Sequence, residues 1–242
     1  MKKPILSITI ICLMVLLVPT SAYPSFMFKK SKITTVILGE TRELSSFDKI
    51  EISGAFTITL VQGNAENVSI DANSDIASRV ITKVDNGTLK IYTEKDFDSD
   101  SKITLTVNFK NLTSIDCSGA NVINSSGSLK FNNLSFDASG ACKANLEFSA
   151  ANLDIDMSGA VNAVMKGSAS RVELDISGAG KLLAADLVAS DYDVDISGTG
   201  NAEINASKSL NVEVSGTGNV KYRGEPKITK EVSGTANVSP LK

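Results

Sequence analysis

Apolar and polar residues alternate with a period of two through most of this chain, and the alternation keeps phase with a recurring tripeptide. Ser-Gly followed by Ala or Thr occurs eight times, at Ser53, Ser118, Ser139, Ser158, Ser177, Ser197, Ser215 and Ser233. After Ser118 the intervals are 21, 19, 19, 20, 18 and 18 residues. Counting back from serine, position minus one holds Ile52, Cys117, Ala138, Met157, Ile176, Ile196, Val214 and Val232. Position minus three holds Ile50, Ile115, Phe136, Ile155, Leu174, Val194 and Val212, until Lys230 breaks the column. Counting forward, glycine stands at plus one, small residues at plus three (Val161, Gly180, Gly200, Gly218, Ala236), and Ala144, Ala163, Leu182, Ala202, Val220 and Val238 at plus five. These odd positions face inward, because successive side chains of a strand point to opposite faces. Strands returning every 18–21 residues match the coils of a solenoid, each burying a stripe that it cannot bury alone. The pattern predicts an all-β, single-domain parallel β-helix. Its glycine column marks a place where the wall bends or passes too close for a side chain.

Ahead of the regular rungs the pattern changes. Phe47 to Leu60 is a first copy of the motif, with Ile50, Ile52, Phe56, Ile58 and Leu60 alternating against polar neighbours. Val68 and Ile70, then Leu89 and Ile91 after an Asp85-Asn86-Gly87 turn, then Ile103, Leu105, Val107 and Phe109, read as strands, partly antiparallel. Asp75 to Lys83 is expected to hold one short helix. Asp96, Asp98 and Asp100 form a solvated turn or a calcium loop. At the far end, Lys230 in an apolar column and Pro240 after the last motif act to blunt an open edge, and rung or face stacking there is a route to a homo-oligomer.

Lys2 and Lys3, the uncharged run Pro4 to Val18 and the small residues Thr20-Ser21-Ala22 read as a cleaved export signal. The run falls short of the ~20 residues a spanning helix needs, so no transmembrane segment is expected after cleavage. The organisation is therefore a signal peptide at 1–22, a linker at 23–41, a domain at 42–238 (mixed strands to 111, regular rungs from 112) and a tail at 239–242. Export would place the chain in the periplasm, against the outer membrane or at the cell surface. Cys12 lies in the signal; Cys117 and Cys142 remain. Cys117 stands at minus one and Cys142 at plus three of the next copy, an offset near 13 Å if the strand runs straight, against the ~7 Å limit between bridged Cα atoms. Two buried free thiols are expected.

The chain has no histidine, which excludes Ser-His-Asp and Cys-His nucleophile pairs and imidazole metal ligands. With 24 Lys and Arg against 27 Asp and Glu, the net charge of -3 gives no basic surface for nucleic acid. The outward positions draw a repeating surface. An acid stands at minus two in every copy: Glu51, Asp116, Asp137, Asp156, Asp175, Asp195, Glu213 and Glu231. Serine, then Ala giving way to Thr199, Thr217 and Thr235, then Asn162, Asn201, Asn219 and Asn237 complete the columns. Stacked carboxylates repel by only about 1 kcal/mol per pair in water, so a purely structural role is tolerable, with acids and amides bonded within the wall. Two sharper readings compete with it: calcium held by Asp156, Asp175 and Asp195, and a ligand face of Ser177, Ser197, Thr199, Asn201, Thr217 and Asn219 facing sugar hydroxyls or an extracellular protein. Catalysis is not expected, since every rung repeats one acid where an acid/base pair needs two different environments. No cofactor is called for beyond that calcium. The alternatives are a structural envelope scaffold and, further off, a polysaccharide-acting β-helix enzyme.

Ser46-Phe47-Asp48-Lys49-Ile50-Glu51-Ile52-Ser53-Gly54-Ala55, then Asn86-Gly87-Thr88-Leu89-Lys90-Ile91, then the iterated Ser-Gly-Ala/Thr-Gly-Asn motif resemble the auto-transporter adhesin head GIN domain family. The resemblance runs from about Arg42 to Val238. It implies an exported β-helical protein of the cell envelope or surface with an adhesin-like role, and it brings no catalytic residues. No barrel-type segment is read between Val238 and Lys242, so self-export through an outer membrane is not part of the expectation.

Overall fold

The computed structural model describes residues 39–94 and 103–241. The expected signal peptide, most of the expected linker, Cys12 and the Asp96, Asp98, Asp100 run lie outside the described residues.

The chain folds as β1 (Glu40–Glu43), β2 (Lys49–Gly54), β3 (Phe56–Gln62), β4 (Asn67–Asp71), α1 (Ser74–Ala77), β5 (Val80–Asp85), β6 (Thr88–Thr93) and β7 (Ile103–Phe109). The long rungs follow: β8 (Ser114–Lys130), β9 (Asn133–Ala138), β10 (Ala141–Met157), β11 (Ala160–Ile176), β12 (Ala179–Ile196), β13 (Thr199–Val214), β14 (Thr217–Arg223), β15 (Lys227–Val232) and β16 (Thr235–Pro240). From β8 onward every pairing is parallel, and the result is a β-solenoid of about seven turns with rungs of about 19 residues. The sequence columns are structural columns. Ile155 lies over Phe136 and under Leu174, and Met157 lies between Ala138 and Ile176. All are buried in one continuous core with Phe109, Phe148 and Tyr192.

The N-terminal strands depart from the coil as expected. β1 pairs antiparallel with β4, β4 with β7, and β5 with β6, while β2 and β3 join β8 in parallel. The β5–β6 hairpin turns on Asn86 (φ 50°) and Gly87 (φ 76°), the positive-φ pair that a two-residue turn matching strand twist requires. The helix is shorter than expected. Asn73 caps it by accepting from the Ile76 amide, but it ends at Ala77, and Val80 to Lys83 join the hairpin because Val80 and Ile81 pack and pair better in a strand.

The Ser-Gly corner corrects the placement of the cysteines. The backbone bends at Ser177-Gly178, Ser197-Gly198, Ser215-Gly216 and Ser233-Gly234, so the residues before and after it converge inside. A Cβ on Gly180 would lie 2.7 Å from Ile176 Cγ2, and one on Gly200 would lie 2.8 Å from Ile196 Cγ2. The plus-three column is small because the minus-one side chain of the same rung already fills the corner. Ala138 is the short minus-one residue, and it leaves room for Cys142. Cys117 and Cys142 are buried free thiols, as expected, but their sulfurs lie 3.1 Å apart, because the strand does not run straight between them as the 13 Å offset assumes.

Candidate functional site

The corner glycines fix the spacing on which the surface columns depend. A Cβ on Gly159 would overlap the backbone of Gly140 and Ser139, and one on Gly198 would overlap Gly178 and Ser177. The backbone passes this close because it bonds across the corner: Ala160 N donates to Gly140 O (3.0 Å), Ala179 N to Gly159 O (2.9 Å), Thr199 N to Gly178 O (2.8 Å) and Thr217 N to Gly198 O (2.9 Å). Two outward facets meet along this Ser-Gly edge.

The facet before the edge is acidic. Glu51, Asp116, Asp137, Asp156, Asp175, Asp195, Glu213 and Glu231 are successive Cα partners, one per rung. At minus four a second file adds Asp154, Glu173 and Asp193. Loss of water first, then nearby carboxylates, push the Asp116, Asp156 and Asp175 carboxyls above their ordinary range: Asp137 and Glu51 act on Asp116, Asp137 and Asp154 on Asp156, and Asp195, Asp156, Asp154 and Glu173 on Asp175. Ser135 Oγ donates to Asp137 Oδ2 (2.9 Å), Arg171 reaches Asp193 (3.4 Å) and Glu173 (3.9 Å), and Lys90 lies 3.7 Å from Glu51 at the start of the file. Among the described residues, no three acids or cysteines gather closely enough to hold a metal ion.

The facet after the edge is mixed and hollowed. Thr199, Thr217 and Thr235 stand in register, as do Asn201, Asn219 and Asn237, and Asn219 Nδ2 donates to Asn201 Oδ1 (3.2 Å). Beside them, a hollow of about 320 Å³ is lined by Lys181, Leu183, Asn201, Glu203, Asn219 and Lys221. A second hollow, about 340 Å³, is lined by Ser125, Asn145, Leu146, Glu147, Val164 and Lys166. Val164 of one and Leu183 of the other are Cα partners on adjacent rungs. The two hollows therefore abut along the column Asn145, Val164, Leu183, Glu203, Lys221 and form one trough across the rungs.

The residues singled out from sequence fall into two groups. Asp156, Asp175 and Asp195 lie together on the acidic facet. Thr199, Asn201, Thr217 and Asn219 lie together on the other, with Ser177 and Ser197 exposed on the edge between them. The bend separates the acids from the hydroxyl and amide columns, so the surface is two facets and not one grid. Sequence reasoning missed Glu203, Val164 and Leu183, whose plus-six column changes residue at every rung from Asn145 onward, and Asn121, which is buried at a plus-three position. Asn121 Oδ1 accepts from Phe56 N (3.0 Å) and its Nδ2 donates to Ser118 O (2.6 Å), closing the seam where β3 leaves the first rung.

Comparison with protein families matches residues 46–226 to the family described as "putative auto-transporter adhesin, head GIN domain". No curated protein matches the chain. Among solved structures, a putative adhesin from Bacteroides fragilis is similar at a TM-score of 0.79 and 21% identity, covering 84% of this chain and 96% of that one. A putative adhesin from Parabacteroides distasonis is similar at 0.67 and 21%, covering 84% and 96%. A putative lipid binding protein from Parabacteroides distasonis is similar at 0.63 and 21%, covering 84% and 97%. At these identities the likeness is one of fold.

Proposed function

Because the chain belongs to the head GIN domain family, we propose that it is an exported, adhesin-like module of the cell envelope that binds an extended, uncharged glycan along the trough after the Ser-Gly edge. The observation that carries the reading is the trough itself: a run of side chains crossing successive rungs, with apolar Val164 and Leu183 flanked by amide, ammonium and carboxylate groups. Amides and charged groups pair with sugar hydroxyls, and the apolar floor suits the carbon faces of a ring. The neighbouring acid files disfavour an acidic polymer by like-charge repulsion and leave a neutral chain as the better guest.

Catalysis has no part in this reading. The ladder carboxylates Asp116, Asp156 and Asp175 share one environment and shift in one direction, whereas an acid and its base need environments that push them apart. The test is a glycan array probed with the full chain, with and without a calcium chelator. Binding to neutral glycans that Asn201→Ala and Asn219→Ala each weaken about tenfold, the worth of one hydrogen bond, supports the trough. Asp175→Asn should leave that binding unchanged. Binding that disappears only with chelator moves the contact to Asp156, Asp175 and Asp195, and an array blank in both buffers overturns the proposal.

A further inference from the structure

The paired thiols of the first regular rungs have no part in the trough, and they are the one reactive pair the solenoid holds inside itself among the described residues. Cys117 is fully buried on β8 and Cys142 is 1% exposed on β10. Their sulfurs are 3.1 Å apart, about 1 Å beyond the length of an S–S bond. Two features of the coil bring them there. The Ser139-Gly140 corner brings the plus-three position of its rung back toward the minus-one column, and the short Ala138, the Cα partner of Cys117, leaves that position open to it. Met157 and Ile176 at minus one are followed by Val161 and Gly180 at plus three, so such a pairing of side chains needs the small residue that only this rung supplies.

We propose that Cys117 and Cys142 form a buried disulfide that ties β8 to β10 where the mixed N-terminal strands pass into the regular coil. In the cell the bond rests on the export reading, because disulfides persist in oxidising compartments. Its chemistry needs only a thiol–disulfide oxidant such as glutathione disulfide. One cysteine thiolate attacks that S–S bond, the other cysteine thiolate then displaces glutathione, one protein S–S bond forms and two glutathione thiols leave with the two protons. Since both sulfurs are covered in the folded chain, oxidation precedes closure of the next rung, and the closed rung then shields the bond from reductant.

The test is peptide mapping of the full chain, once as recovered from the cell and once after refolding from denaturant with glutathione disulfide, with free thiols alkylated under denaturing conditions. Trypsin yields Asn111–Lys130, which carries Cys117, and Phe131–Lys143, which carries Cys142. A linked pair two hydrogens lighter than the separate peptides, in both samples, is the expected result. Alkylated or glutathione-capped cysteines after refolding overturn the disulfide. A linked pair after refolding with free thiols in the cell-derived protein upholds the disulfide and counts against export. A melting comparison adds an independent readout: the oxidised chain should melt about 5–15 °C above the same chain reduced, from the entropy of closing this loop. Cys117→Ala with Cys142→Ala, a size the solenoid accepts at both columns elsewhere (Ala138, Ala236), should melt at one temperature whether or not reductant is present.

Discussion

The two ends of the solenoid carry the same columns to opposite fates. At the N-terminal end, β1, β4 and β7 run antiparallel over the first turns, and Phe47, Ala77 and Leu112 are buried beneath them. Arg42 ties that end together, with Nη2 on Ala77 O (3.0 Å), Nη1 on Thr82 Oγ1 (3.2 Å) and on Val80 O, and Nε on Glu40 (2.8 Å). Glu66 accepts from Lys110 (2.6 Å) and Ser46 (2.8 Å) beside it. At the other end, all six residues of β15 are exposed. The minus-one column runs Ile176, Ile196 and Val214 at 0% exposure and then Val232 at 46%. The minus-three column closes on Lys230, which is exposed because no rung among the described residues stacks on its outer side. A side chain is inside a solenoid because a neighbour stacks on it, not because it occupies an inward position.

The largest effect that sharpens this contrast is in the minus-one column. Ile176→Ala should cost about 2–5 kcal/mol in urea unfolding, the price of a cavity in a closed core, while Val232→Ala should stay within about 1 kcal/mol. Equal losses would break the comparison, and would mean that the last described rung is covered in solution by another surface. The next effect compares two arginines. Arg42→Ala removes hydrogen bonds that hold α1 and β5 to β1 and should cost about 2–3 kcal/mol. Arg223→Ala, which gives up an exposed contact to Asp186 (3.2 Å), should cost less than about 1 kcal/mol. Thermal unfolding of the two variants side by side separates a cap from a surface pair.

The rungs were legible in the sequence because both of their periods are short: two residues within a strand and about 19 between copies, each read from the Ile, Leu and Val columns and the eight glycines. The angle of the corner was not. A glycine column signals close approach and a bend alike, and the bend at Ser177-Gly178 together with the overlap of a Cβ on Gly178 with the backbone of Ser158 and Gly159 shows that here it does both. That ambiguity put Cys117 and Cys142 far apart on paper. The trough was illegible for a different reason, since Asn145, Val164, Leu183, Glu203 and Lys221 share no residue type and therefore no repeat. Asn201 and Asn219 could be singled out in the sequence because their column does repeat, and the structure places them in register on one facet.

The smallest effect, and the one that turns on sign, contrasts the carboxylates of the two regions. Glu66 is held below its ordinary pKa by Lys110 and Ser46, and Glu40 by Arg42, so both contribute stability above 4.5 that is lost as pH falls through their lowered folded values. Asp116, Asp156 and Asp175 are held above their ordinary 3.8 by lost hydration and by neighbouring carboxylates, so ionising them opposes folding and protonating them relieves it. As pH falls, the contribution of these three acids should climb through their raised folded values down to 3.8, while that of the two cap acids should drop from 4.5 downward. Asp175→Asn removes the carboxylate that faces both Asp156 and Asp195. It should raise stability at neutral pH by a few tenths of a kcal/mol, up to about 1, flatten the climb on acidification, and lose most of its advantage in 1 M salt, where the Debye length is about 3 Å. A variant less stable than the parent at neutral pH would mean that the Asp175 carboxylate is held by a counter-charge in solution, and would return weight to a cation on the acidic facet.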